Sequence, residues 1–96
     1  MVLDANSRIS LSNNDNNTDN TVFGKSAFNA SSDNDSDRNL AIGNLAMGTG
    51  TVSGAQNNTA IGNLALTDIT SADRNTAVGA SVAPNITTGD RNTVIG

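Results

Sequence analysis

No cysteine, histidine, tryptophan or tyrosine occurs in these 96 residues, and there is one proline. Without cysteine, disulfides and thiolate metal sites are excluded. Without histidine or cysteine, and with Lys25 as the sole lysine, little remains for nucleophilic or acid–base catalysis. Two phenylalanines are the whole aromatic complement, and much of the 35% hydrophobic content is alanine, so a single small globule would bury little large apolar surface. Glutamate is absent; all nine acidic residues are aspartate. Helix formers are therefore scarce, which argues against bundles and coiled coils. The net charge of −4, with five scattered basic residues, argues against nucleic acid as a partner. No apolar run approaches the roughly 20 residues that cross a bilayer, so no membrane insertion is expected. The first residues lack the basic and apolar regions of a signal peptide.

What is abundant is Asn, Asp, Ser, Thr and Gly, the residues of turns and of short strands joined by turns. They are arranged in a repeat. Asn20-Thr21-Val22-Phe23-Gly24 returns as Asn39-Leu40-Ala41-Ile42-Gly43 and as Asn58-Thr59-Ala60-Ile61-Gly62. Two further copies are Asn75-Thr76-Ala77-Val78-Gly79 and Asn92-Thr93-Val94-Ile95-Gly96. Successive copies are 19, 19, 17 and 17 residues apart, which suggests a constant coil with small loop insertions. A second block follows each of the first four copies: Lys25 to Phe28, Asn44 to Met47, Asn63 to Leu66 and Ala80 to Ala83. The fourth inverts the small-then-large order, with Val82 before Ala83. A polar turn precedes the motif, and the triplet Asp-Arg-Asn occurs three times.

One coil thus reads as a strand, a glycine corner, a second strand, a loop and a polar turn, with strands of four or five residues. The predicted fold is an all-β solenoid or β-roll, with residues 1–19 as an N-terminal extended segment and polar loop and residues 20–96 as the five-motif array. Gly24, Gly43, Gly62, Gly79 and Gly96 supply a corner with positive φ or close backbone approach. Alternation places Ala41, Ala60 and Ala77 on one face of the strand and Ile42, Ile61 and Val78 on the other. In the second strand Leu64 and Leu66 face away from Ala65. Strands apolar on both sides are expected to be covered on both sides. A thin solenoid has one interior, so the second face calls for further copies of the chain. Alanine suits a narrow coil interior or a close axis, and Ile, Leu and Met suit a packing layer between chains; the pattern alone leaves open which face is which. Coils rising about 4.8 Å each make a stub of about 20–25 Å. Asn20, Asn39, Asn58, Asn75 and Asn92 then stack as an amide ladder rather than standing as solvent-exposed turn residues.

Outside the repeat, Asn6 to Leu11 alternates and can form a strand, while Ser12 to Asn20 and Ser31 to Asp37 read as polar loops. Asp33, Asp35 and Asp37 alternate as in a calcium loop, but no central glycine or terminal glutamate accompanies them. A solvated acidic loop is the simpler account, and no metal, cofactor or catalytic residue is assigned. Asn-x-Ser/Thr triplets such as Asn29-Ala30-Ser31 and Asn85-Ile86-Thr87 follow from the composition.

The opening Met1 to Asp15, followed by the Asn-Thr-Val-Phe-Gly and Asn-Thr-Ala-Ile-Gly repeats, resembles tailed-phage fibre and structural proteins. The repeat is also similar to the Asn-Ser-Val-Ala-Ile-Gly coils of trimeric autotransporter adhesin heads. The resemblance covers nearly the whole chain. It implies a homotrimer on the virion, placed in a fibre, spike or tail tip, with other virion proteins as neighbours and a host-surface receptor or glycan as a possible contact. Two departures stand out: adhesin-head coils are shorter, and nothing here matches the self-cleaving chaperone domain that ends many long phage fibres. The array breaks off at Gly96, before its second block, as expected of a segment of a longer rod.

Three other readings compete. The head of a bacterial surface adhesin would need a secretion signal and an anchor. An ice- or calcium-binding solenoid would want regular ligand rows. Thr21, Thr59, Thr76 and Thr93 share a column, but Leu40 interrupts it and no second threonine column accompanies it. An enzyme is the weakest reading, given the missing side chains.

Overall fold

The computed structural model describes residues 19–28 and 35–96. The proposed strand at Asn6 to Leu11, the polar loop from Ser12 to Thr18 and Asp33 of the candidate calcium loop lie outside these residues. Five three-residue strands mark the five motifs: β1 (Thr21–Phe23), β2 (Leu40–Ile42), β3 (Thr59–Ile61), β4 (Thr76–Val78) and β5 (Thr93–Ile95). They form one parallel sheet in chain order, with each strand paired to the next. The register is that of the motif itself: Thr21 pairs with Leu40, Leu40 with Thr59, Thr59 with Thr76 and Thr76 with Thr93. Consecutive parallel neighbours, each reached by a full circuit of chain, make an all-β solenoid of about four turns. Among the described residues there is no helix.

The spacing difference is absorbed at one point. Between Met47 and Thr51 the longer coil carries Gly48-Thr49-Gly50, where the next coil has Thr67 alone between Leu66 and Asp68. The N–H groups of Thr49 and Gly50 both donate to the Thr67 carbonyl at 3.0 Å, so Gly48-Thr49-Gly50 loops out over Thr67, the two extra residues are taken up and the stack keeps its register. Both glycines are needed here. A Cβ on Gly48 would strike the Ser26 carbonyl oxygen, and one on Gly50 would lie 2.8 Å from the Ile69 carbonyl oxygen.

The second block is not a strand, which corrects the expected two-stranded coil. Its residues still bond from coil to coil: Leu45 N–H to the Lys25 carbonyl at 3.0 Å, Leu64 to Asn44 at 3.0 Å and Ser81 to Asn63 at 2.8 Å. Positive φ twice in each block prevents an extended backbone, as at Leu45 (58°) and Met47 (52°) and at Leu64 (60°) and Leu66 (48°). Side-chain alternation fails with it. Ala65 and Leu66 both point inward and are fully buried, while Leu64 is half-buried.

The faces of the motif strand are also settled. Ala41, Ala60 and Ala77 are fully buried inside the coil; Ile42, Ile61 and Val78 are half-buried on the outside. Met47 and Leu66, expected in a layer between chains, instead fill the interior beside Val52 and Ile69. Seven of the thirteen buried hydrophobic residues are alanine, so the core is thin. Inter-coil hydrogen bonds therefore carry a large share of the cohesion.

Candidate functional site

Two surfaces of the coil carry the repeated chemistry: the turn before each strand and the corner after it. At the turn, the residue preceding each ladder asparagine adopts the left-handed conformation: Asp19, Arg38, Asn57, Arg74 and Arg91 have φ of 59–61°. That conformation aims the asparagine side chain along the stack. Asn39, Asn58 and Asn75 are at most 2% exposed and form a continuous ladder. Oδ1 of Asn39 accepts the backbone N–H of Asn58 at 2.9 Å and its side-chain amide at 3.0 Å. Oδ1 of Asn58 receives the same pair from Asn75, at 2.9 and 3.1 Å, and Oδ1 of Asn75 the same pair from Asn92, at 2.8 and 2.9 Å. Each amide also donates to the carbonyl three residues before the next asparagine: Asn20 to Ser36, Asn39 to Ala55, Asn58 to Ala72 and Asn75 to Gly89, all at 2.7–2.8 Å. The amide thus uses both of its ends.

A second ladder flanks the first, and sequence reasoning took it only for a polar turn. Oδ1 of Asp73 accepts the Gln56 N–H, and Oδ1 of Asp90 the Asp73 N–H, both at 2.7 Å. The recurring Asp-Arg-Asn triplet is thereby explained: the aspartate bonds back to the preceding coil, the arginine makes the left-handed turn, and the asparagine enters the ladder. The sequence signal was the fixed offset of the aspartate from the ladder residue. In coil two the triplet's place is taken by Gln56-Asn57-Asn58, and the Gln56 carbonyl side chain accepts from Arg38 at 2.8 Å.

At the other end of the strand, Gly24, Gly43, Gly62 and Gly79 have φ between 128° and 145°. A Cβ on any of them would run into the carbonyl of the corresponding glycine one coil on. Each corner also hydrogen-bonds across coils, as Gly62 N–H does to Ile42 at 2.7 Å. No side chain rises from these corners, and half-buried apolar residues line both sides: Ile42, Ile61 and Val78 before the glycine, Leu45 and Leu64 after it. The end strands leave Phe23 and Ile95 more open.

Among the described residues, charge is concentrated at the turn. Eight of the ten charged residues among the described residues lie within four positions before a ladder asparagine; Lys25 and Asp68 are the exceptions. Thr21, Thr59, Thr76 and Thr93 do form one outward column, with Leu40 breaking it. Among the described residues, no group of three His, Cys, Asp or Glu side chains is placed to hold a metal ion, and no helix is long and apolar enough to cross a membrane.

No protein-family description matches the chain, and no curated protein or solved structure matches it either.

Proposed function

We propose that this chain is a structural module of a phage virion fibre, spike or tail tip, which associates as a homotrimer and contributes to attachment at the host surface. The observation that carries the reading is the outer side of the sheet. Ile42, Ile61 and Val78 form an in-register apolar column on a solenoid whose own core consists mostly of alanine. A thin core gives a single copy modest stability. Packing of copies along their outer apolar columns would add the burial that one coil lacks. The motif's resemblance to phage fibre proteins supports the virion setting.

Light scattering coupled to size exclusion tests the assembly. At micromolar concentration the chain is expected to elute with three times the monomer mass, and a stable, folded monomer overturns the trimer. The virion setting has its own test. Antibodies to the chain should label fibres or tail tips of purified particles, and particles that lack the chain by mass spectrometry exclude it.

A further inference from the structure

Charge placement separates the repeated surfaces of the coil by how well each suits contact with its own copy. In a closed ring of parallel copies around an axis along the stack, a residue at the axis meets its own copies at the same height. A charged column there opposes itself, and like charges brought together at an interface are costly. A column without charge avoids that cost.

The turn before the strand fails this condition. It carries Asp37, Arg38, Asp73, Arg74, Asp90 and Arg91, and its aspartates already bond within the chain where Gln56 and Asp73 offer their N–H groups. The glycine corner meets it. Its column after the glycine reads Lys25, Asn44, Asn63 and Ala80, so one charge sits at the first coil and none on the next three. Lys25 is exposed, and its long side chain can carry the ammonium out to water. The corner is flanked by half-buried Ile42, Ile61, Leu45 and Leu64, and its glycines have no side chain to hold a neighbour away. Depletion of charge with an apolar lining is the composition of an interface centre.

We infer that copies of this chain meet at the glycine corner, with the Asn44, Asn63 and Ala80 column nearest the axis and the Asp-Arg turns facing outward. This rests on the self-association proposed above, and deepens it by naming the occupant of the corner as the same corner of a second copy.

The chain has no cysteine, so single introduced cysteines report on proximity without background. Two variants of the full chain, Asn63→Cys at the corner and Arg74→Cys at the turn, are oxidised with a copper–phenanthroline catalyst and treated in parallel with a short bis-maleimide. Both residues are exposed; Asn63 follows the glycine after β3, and Arg74 precedes the ladder asparagine before β4. Asn63→Cys is expected to give a covalent dimer on a denaturing gel, at a yield unchanged on ten-fold dilution, while Arg74→Cys remains monomeric. Ala80→Cys should behave as Asn63→Cys does. Efficient dimer from Arg74→Cys, or none from Asn63→Cys and Ala80→Cys while light scattering still shows an assembly, overturns the corner and leaves the assembly standing. A monomer by light scattering in all three variants and in the parent chain removes both.

Discussion

Asn58 shows how much one side chain can hold. It is 1% exposed, accepts from the backbone and side chain of Asn75, and donates to Ala72 and Asn39. Asn58→Ala leaves the Asn75 N–H and the Ala72 carbonyl buried without partners, each worth about 1–3 kcal/mol. The expected loss is about 3 kcal/mol by urea denaturation, against less than about 0.5 kcal/mol for Asn85→Ala at an exposed turn position. Equal losses would show that the ladder contributes nothing beyond an ordinary surface amide. This ladder was legible in the sequence because its residue recurs at every coil. The carbonyl that each amide also takes, three residues before the next asparagine, was not legible, because nothing in a one-dimensional repeat tells which backbone group a side chain meets.

At the scale of elements, corners decide the fold more than strands do. Three-residue strands are too short to specify themselves, and the left-handed residues between them set the path. Two substitutions separate the kinds of corner. Gly62→Ala places a methyl group against the Gly79 carbonyl at a φ of 132°, and should cost about 3 kcal/mol or more. Arg74→Asn acts in the opposite direction. Position 74 has φ 59° and is exposed, and Asn57 fills the same place one coil earlier. Asparagine tolerates that conformation better than arginine, so stability is expected to hold or to rise by up to about 1 kcal/mol in thermal or urea melts. A fall of the same size would contradict the equivalence of the two turns. The corners also explain what the sequence withheld. The glycines announce positive φ, but Leu64, Leu66 and Met47 adopt it without any compositional sign. Alternation was therefore applied to a second strand that does not exist, and Leu66 was turned outward when it lies inside. The choice between an interior of Ala60 and one of Ile61 had the same origin: both fit the pattern, and only the radius of the coil selects the smaller.

For the whole molecule, stability should follow nearest neighbours, as each coil touches only the coils beside it. Residues 58–74 form one complete coil between equivalent ladder positions. Their deletion joins Asn57 to Asn75 and lets β2 pair with β4 in the same register. The shortened chain is expected to fold, with unchanged circular dichroism per residue and a denaturant m-value reduced in proportion to the coil removed. Deleting eight residues from the same stretch should instead abolish cooperative unfolding. Loss of folding in both deletions would mean that the coils are not interchangeable. The asparagine ladder has one more consequence. From Asn20 to Asn75 each side-chain oxygen accepts from the following coil and none from the preceding one, so these amide dipoles point the same way along the stack. Along this ladder the stack is a vector, with acceptors facing the following coil and donors facing the preceding one, the reverse of the aspartate ladder beside it. A neighbour can extend it only with matching orientation, and a rod laid against it upside down would find its ladder reversed.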